Sequence, residues 1–425
     1  MARQQAYQRR SNQAAQPSAT ERIAEFIARN VRTAFTGQSR DFHLLLGVTG
    51  VLVVLGLTMV FSASYVDLIA AHDAWGASLG KQSFFVLLGV IGLTVASLIK
   101  VHWWERFVMP LWVFFTLLQF ALIVIGKNVN GNKNWIALGP FSLQPSELLK
   151  IVLLLGLASL ISQNRRDLDY SHTWIYALMR VAVPLLAIIV EKDLGTALII
   201  MIAYIGVSAL AGLPRKLLWG TLLTGAIGVW IILIATPGST RLARINAWLH
   251  PNAPDPMDYN WQQDHGVWAL AAGRLTGVGL GGSKMKWSWI PEVQNDFIFA
   301  IIGEELGLVF CLVVVALFVM MTVLLIRIAT RTQDLFAKYF VFGVAIWISA
   351  QAAVNIAVVL DLLPVLGVPL PLISMGGTSM VAILGAIGIV LAVERDNHLG
   401  YEGGITPKRR GPVGAAAGTR RVRGR

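Results

Sequence analysis

Long apolar runs separated by short polar breaks occupy most of this chain between residues 43 and 395. Measured against the ~20 apolar residues that one bilayer crossing needs, they predict ten spans. These fall near 43–63, 83–99, 107–126, 147–163, 173–190, 194–212, 217–236, 298–326, 337–360 and 379–395. Only Glu191, Lys192 and Asp193 separate the fifth from the sixth, which makes a very tight turn. The first 42 residues are polar, and the first apolar run is too long for a signal-peptide core and lacks a small-residue cleavage site, so it reads as a retained span. Upstream, Ile23, Phe26, Ile27, Val31 and Phe35 share one helical face, and Ser18 with Glu21 has capping-box spacing. Residues 20–36 are therefore expected to form an amphipathic helix on the inner leaflet, with Arg22, Arg29 and Arg32 toward anionic headgroups.

Composition supports this and excludes a water-soluble fold. Of 425 residues, 56% are hydrophobic and 14% charged, against ~25% charged in soluble domains. The expected architecture is an all-α polytopic membrane bundle. It comprises a polar tail over 1–42, a ten-helix domain over 43–397 with a large outer loop over 237–295 between spans seven and eight, and a basic, disordered tail over 398–425. Placing both termini in the cytoplasm puts 24 Lys and Arg inside and 10 outside, which fixes the orientation. The same count explains the net charge of +12, so no nucleic-acid partner is expected and membrane lipids are. The single cysteine, Cys311, offers neither a disulfide nor a thiolate metal site.

Candidate chemistry falls on the outer side. The 237–295 loop holds five of the 14 tryptophans together with Arg241, Arg244, Arg274, Lys284 and Lys286. An interfacial aromatic belt and a surface for an amphiphile with an anionic head fit that composition equally. Gly277-Val-Gly-Leu-Gly-Gly282 matches a dinucleotide fingerprint by letter, but no βαβ unit can be built around it. Its glycines are expected to turn tightly beside a headgroup or a span end. Asp296 opens the eighth span, with Glu304 and Glu305 two turns later; it reads as a general base or as a helix-dipole charge. Glu147 and Lys150, three apart, share a helix face and form a structural pair or a site. Asp193 reads as a cap or a site residue. Gly376-Gly377-Thr378-Ser379 offers backbone amides and hydroxyls at a helix start, suited to phosphate oxygens or to simple capping. The histidines show no metal spacing.

Four segments then carry a resemblance. Pro291-Glu292-Val-Gln-Asn-Asp296-Phe-Ile-Phe-Ala followed by Gly303-Glu-Glu-Leu-Gly307 resembles a signature of the FtsW/RodA (SEDS) family. Asn130-Gly-Asn-Lys133-Asn-Trp135-Ile with Gln144-Pro-Ser146-Glu147-Leu-Leu-Lys150 is similar to a second. Asp193-Leu-Gly-Thr196 and Leu370-Pro-Leu-Ile-Ser-Met-Gly-Gly-Thr-Ser379 correspond to two more, all in family order. The chain departs from the family pattern at Asn132, Asn134, Gln294, Asn295, Asp361 and Met375. The resemblance implies an inverting glycosyltransferase that polymerises lipid II at the outer face of the bacterial cytoplasmic membrane. It implies partnership with a class B penicillin-binding protein and other divisome membrane proteins. The long polar N-terminus and Ser62-Ala-Ser64 look more like the division branch, working at the septum, than the elongation branch. Asp296 matches the family's essential acid. Trp135, Glu147 and Lys150 carry over as site-shaping or headgroup contacts, and Gln144, Ser146, Asp193 and Glu292, in the same motifs, are expected to bind substrate. Lys133, standing beside Asn134, and Lys284, Lys286 and Gly376–Ser379 are nominated for pyrophosphate charge. The resemblance assigns no particular cofactor, and a divalent cation is compatible. A lipid II flippase is the competing expectation; it would need charge along a transmembrane path, and mid-span charge is sparse.

Overall fold

The computed structural model describes residues 38–70, 77–129, 132–139, 141–165, 167–168, 171–235, 240–251, 259–287, 289–290 and 293–402. The expected amphipathic helix over 20–36 and the tail beyond 402 lie outside these. Twelve described helices run in the order α1 (Arg40–Ala70), α2 (Ala77–Leu98), α3 (Val101–Ile125), α4 (Pro145–Gln163), α5 (Ser171–Val190) and α6 (Leu194–Leu210). There follow α7 (Arg215–Ala235), α8 (Thr240–Leu249), α9 (Trp261–Gly273), α10 (Ile298–Arg331), α11 (Leu335–Val359) and α12 (Gly377–Glu402). Among the described residues, eight helices are long and apolar enough to cross a membrane, and α6, at 17 residues, is a shorter apolar helix. A multi-pass membrane bundle follows. A helix stands at each of the ten expected positions, and α8 and α9 lie within the expected large loop.

Two details differ from expectation. Between α3 and α4 the chain forms a small antiparallel sheet, β1 (Lys127–Val129), β2 (Asn132–Leu138) and β3 (Phe141–Leu143), in that order. Its Ile136↔Leu143 and Leu138↔Phe141 pairs close a short hairpin, and Phe141 stacks on Phe84 of α2 at 4.5 Å. At the C-terminus, α12 runs on to Glu402, so residues 398–402 are helical rather than part of a disordered tail.

α4 and α12 occupy the interior, with 83% of each span buried, while α3 exposes most of its surface to lipid with only 22% buried. The antiparallel neighbours α1 and α10 are tied at both ends. At the inner end Asp41 accepts from Arg327 at 3.1 Å and from Arg331 at 2.7 Å. At the outer end the Ser62 hydroxyl donates to Glu305 at 2.7 Å, and the Lys286 ammonium donates to both Glu305 (2.8 Å) and Ser62 (3.2 Å).

α10 is broken at Gly307 (φ 80°, ψ 177°), a conformation open essentially to glycine alone. The break frees backbone groups that hydrocarbon cannot solvate, and the Gly277–Gly282 loop fills the gap. Val278 and Gly279 N–H donate to the Glu304 and Glu305 carbonyls at 2.9 Å, while Leu308 and Val309 N–H donate to Arg274 and Leu275 carbonyls. The glycines thus serve close backbone approach: a Cβ on Gly307 would lie 2.4 Å from the Gly277 nitrogen. Gly307→Ala is expected to cost at least ~2 kcal/mol and to lower the detergent melting temperature. Gly47→Ala, where a Cβ meets nothing within 4 Å, should leave it unchanged or raise it; equal midpoints for both variants would contradict the role of the break.

Candidate functional site

The organising element is a stretch of irregular backbone, 364–370, between α11 and α12, turned at Gly367 (φ 69°). Such backbone survives inside a membrane protein only if its carbonyls find donors. Two side-chain amides one turn apart on α11 supply them: Gln351 Nε2 donates to the Pro369 carbonyl at 2.9 Å and Asn355 Nδ2 to the Val368 carbonyl at 2.8 Å. Asn355 Nδ2 also donates to the Asp296 carbonyl at 2.8 Å, which fixes the turn preceding α10. That turn is held a second time by the Met375 N–H, which donates to the Gln294 carbonyl at 2.9 Å. The Asp296 side chain is half-buried and lies beside Gly367, where a Cβ would stand 3.7 Å from its Oδ2.

The other motif segments reach the same stretch. Gly195 packs directly on it; a Cβ there would stand 2.5 Å from the Leu366 carbonyl. Asp193 caps α6 through Thr196 N–H at 3.0 Å, and its other oxygen accepts from Gln144 (2.8 Å) and Asn134 (3.1 Å). Gln144 N–H in turn donates to the Thr378 hydroxyl at 3.0 Å. Below, Lys150 is enclosed: its ammonium donates to Glu147 at 2.9 Å and to Gln351 at 3.2 Å, and sits 5.0 Å from the Trp347 ring centre. Trp347 Nε1 also donates to the Gln351 oxygen at 2.8 Å. A small, mostly apolar cavity of about 10 Å³ lies beneath, among α4, α5, α6 and α11, bordered by Lys150, Leu153, Tyr204 and Trp347.

Gln144, Asp193 and Thr378 form one cluster and Glu147, Lys150 and Gln351 a second, joined where the Glu147 N–H donates to the Gln144 carbonyl at 3.1 Å; Asp296 meets the second through its backbone carbonyl, by way of Asn355 and the 368–369 stretch. Ser146 is fully buried at the start of α4, Ser379 is buried in the first turn of α12, and Gly376 and Gly377 lead into that turn. Trp135 is half-buried on β2, opposite Lys127. Glu292 and the Lys133 side chain lie outside what is described. Lys284 and Lys286 belong instead to the break in α10. Lys284 N–H donates to Glu304 at 2.9 Å and the Lys284 side chain is exposed, whereas the Lys286 ammonium is only 2% exposed and bound to Glu305. The expectation that Lys286 faces a pyrophosphate is corrected on that geometry, because the ammonium is spent on Glu305. Among the described residues, no group of three or more His, Cys, Asp or Glu side chains could hold a metal ion.

Sequence reasoning missed Gln351 and Asn355. Their signal was present, two amides at i and i+4 in an otherwise apolar span. It also missed Glu191, in the turn before Asp193. Burial pushes the Glu191 carboxyl up to about 8, aided by the Asp193 charge, while the Gln119 hydrogen bond at 2.5 Å opposes the shift. On the outer loop, burial and nearby Asp264 raise Asp361, which accepts from Gln263 at 3.0 Å.

Comparison with known proteins gives the family and the fold. The family model described as "Cell cycle protein" (FtsW, RodA and SpoVE) matches residues 42–399. The chain belongs to this family. A "Probable peptidoglycan glycosyltransferase FtsW" of Mycobacterium tuberculosis is 37% identical over 359 residues, covering 84% of this chain and 68% of that protein. "Stage V sporulation protein E" of Bacillus subtilis is 33% identical over 358 residues, covering 83% and 96%. A chain from a peptidoglycan synthase complex that coordinates polymerization and crosslinking superposes with a TM-score of 0.69 at 25% identity, covering 86% of this chain and 99% of that one. Thermus thermophilus RodA shares the fold, with a TM-score of 0.63 at 24% identity and the same coverage.

Two outcomes test the network. Removing one partner of a buried pair leaves a naked charge, so Lys150→Met should destabilise by ~3–5 kcal/mol. The double variant Lys150→Met with Glu147→Leu should recover most of that in thermal melts; no recovery would mean that the pair is not the cause. For Glu191 the folded state keeps a proton that the unfolded chain releases above its usual 4.5. Stability from this group is therefore present below 4.5 and declines as pH rises toward about 8. Melting temperature should fall across that window, and Glu191→Gln should flatten the fall; identical slopes would exclude the assignment.

Proposed function

We propose that this chain is a peptidoglycan glycosyltransferase that polymerises lipid II at the outer face of the cytoplasmic membrane, with Asp296 as general base. The observation that carries the reading is the double pinning of the Asp296 turn, by Asn355 and by Met375, against the stretch that Gly195, Gln351 and the start of α12 also touch. A base needs a fixed carboxylate next to an open approach, and Asp296 is half-buried at the head of a span.

Asp296 takes the proton of the acceptor sugar hydroxyl as that oxygen attacks the donor's anomeric carbon. The bond from that carbon to the lipid pyrophosphate breaks, and its electron pair leaves on the phosphate oxygen. One displacement inverts the anomeric centre. Amides of the first turn of α12, Gly377 onward, have no partner within their own helix; they and the dipole suit the developing phosphate charge.

The likeness to a chain from a complex that joins polymerization with crosslinking supports a class B penicillin-binding protein as partner, alongside other divisome membrane proteins. Likeness to FtsW proteins supports a septal role in cell division. Asp296→Asn, purified with the partner transpeptidase and given lipid II, should lose at least ~100-fold in glycan formation on a gel. Glycan made equally by the variant would remove the mechanism.

A further inference from the structure

Residues 274–287 follow α9 and lie along α10 at its break. Hydrogen bonds, not loop length, set their depth: Val278 and Gly279 are bonded to Glu304 and Glu305, and Leu308 and Val309 to Arg274 and Leu275. Arg327 and Arg331, both held by Asp41, mark the inner end of α10. From them to Gly307 is twenty to twenty-four residues, or ~30–36 Å at ~1.5 Å each, about the thickness of the hydrocarbon layer with a modest tilt. The paired helix α1 is consistent with it. Asp41 to Ser62 spans a similar ~31 Å of helix, and Ser62 touches Glu305 and Lys286. The loop is therefore held at the outer hydrocarbon boundary.

Its outward side matches that depth. Leu275 and Leu280 are 63% and 62% exposed, Val278 and Trp287 about half exposed, and this surface continues onto Leu308 and Val309 of α10. Arg274 and Lys284 are exposed in the same segment. A contiguous apolar patch rimmed by cations is a liability in water. At a lipid boundary it is favourable, with aliphatic chains below and Trp, Lys and Arg at headgroup level.

We infer that residues 274–287 form an anchor in the outer leaflet, their aliphatic side chains entering the acyl region and Arg274 and Lys284 binding the phosphates of anionic phospholipids. The occupant is the bilayer rather than a partner protein, because the patch is continuous with the lipid-facing surface of a membrane span. The anchor stands independently of the catalytic reading; only its consequence, a fixed height for Asp296, rests on that reading.

The full chain in vesicles of phosphatidylcholine with phosphatidylglycerol provides the test. In a Cys311→Ala background, spin labels are placed at Leu280→Cys, at Ser142→Cys on β3 as aqueous reference and at Leu312→Cys on α10 as lipid reference. Power saturation should show the label at 280 oxygen-accessible and several-fold less accessible to a water-soluble nickel chelate than the label at 142. Nickel access equal to 142 overturns the anchor, and so does shielding from both reagents, which would mean a protein cover. Thr276→Cys gives a second reading if the Leu280 variant does not fold. Phosphatidylglycerol should deepen the label at 280, and the deepening should vanish in Arg274→Gln/Lys284→Gln; an unchanged response overturns the headgroup contact. None of these readouts requires lipid II turnover, so failure of the glycosyltransferase reading would leave them intact.

Discussion

Backbone that is neither helix nor sheet can stay inside a membrane protein only where its polar groups are paired, and both irregular regions of this bundle are organised by that constraint. In the first, irregular chain at 366–369 is paired by the side chains of Gln351 and Asn355. In the second, the break at Gly307 is paired by another loop's backbone. The difference has consequences. Side-chain amides can reach two partners, so Asn355 joins the stretch to the Asp296 turn, whereas backbone pairing merely splices a loop into a helix. The first region gathers functional segments; the second sets where they stand.

Amides rather than charges do most of this work. An amide costs less to bury than an ion and can donate and accept at once. Gln351 uses both ends, donating to Pro369 and accepting from Lys150 and Trp347. Lys150 is the buried cation of this network, and it is compensated by a carboxylate, an amide and an indole face. Breaking any of these would leave charge in a medium that cannot solvate it. Asn134 and Gln144 play a comparable part around Asp193.

The spans were legible because a bilayer imposes one length and one composition. The segments that meet around 366–369 were legible as motifs, although nothing in the linear pattern said that Gly195 would touch Leu366. Gln351 and Asn355 escaped notice because two amides in an apolar run disturb neither hydropathy nor period. Lys286 was misread for the opposite reason. A lysine among tryptophans in an outer loop looks available, and only the break at Gly307 reveals that the loop folds down and gives that ammonium to Glu305. The Gly277–Gly282 run was correctly refused as a dinucleotide fingerprint, but its use, splicing a broken helix, required three-dimensional knowledge of α10.

The paired ends of α1 and α10 then explain how position is kept without rigidity everywhere. Asp41 with Arg327 and Arg331 sits at one interface, and Ser62 with Glu305 and Lys286 at the other. Ionic and hydrogen-bonding groups resist entering hydrocarbon, so each cluster is held at its own boundary. Two clusters one hydrocarbon thickness apart fix the helix pair against sliding in either direction. The segment of α10 beyond the break inherits that reference through Glu304 and Glu305. An acid carried on it is positioned relative to the membrane itself, the frame in which any lipid-linked substrate is also positioned.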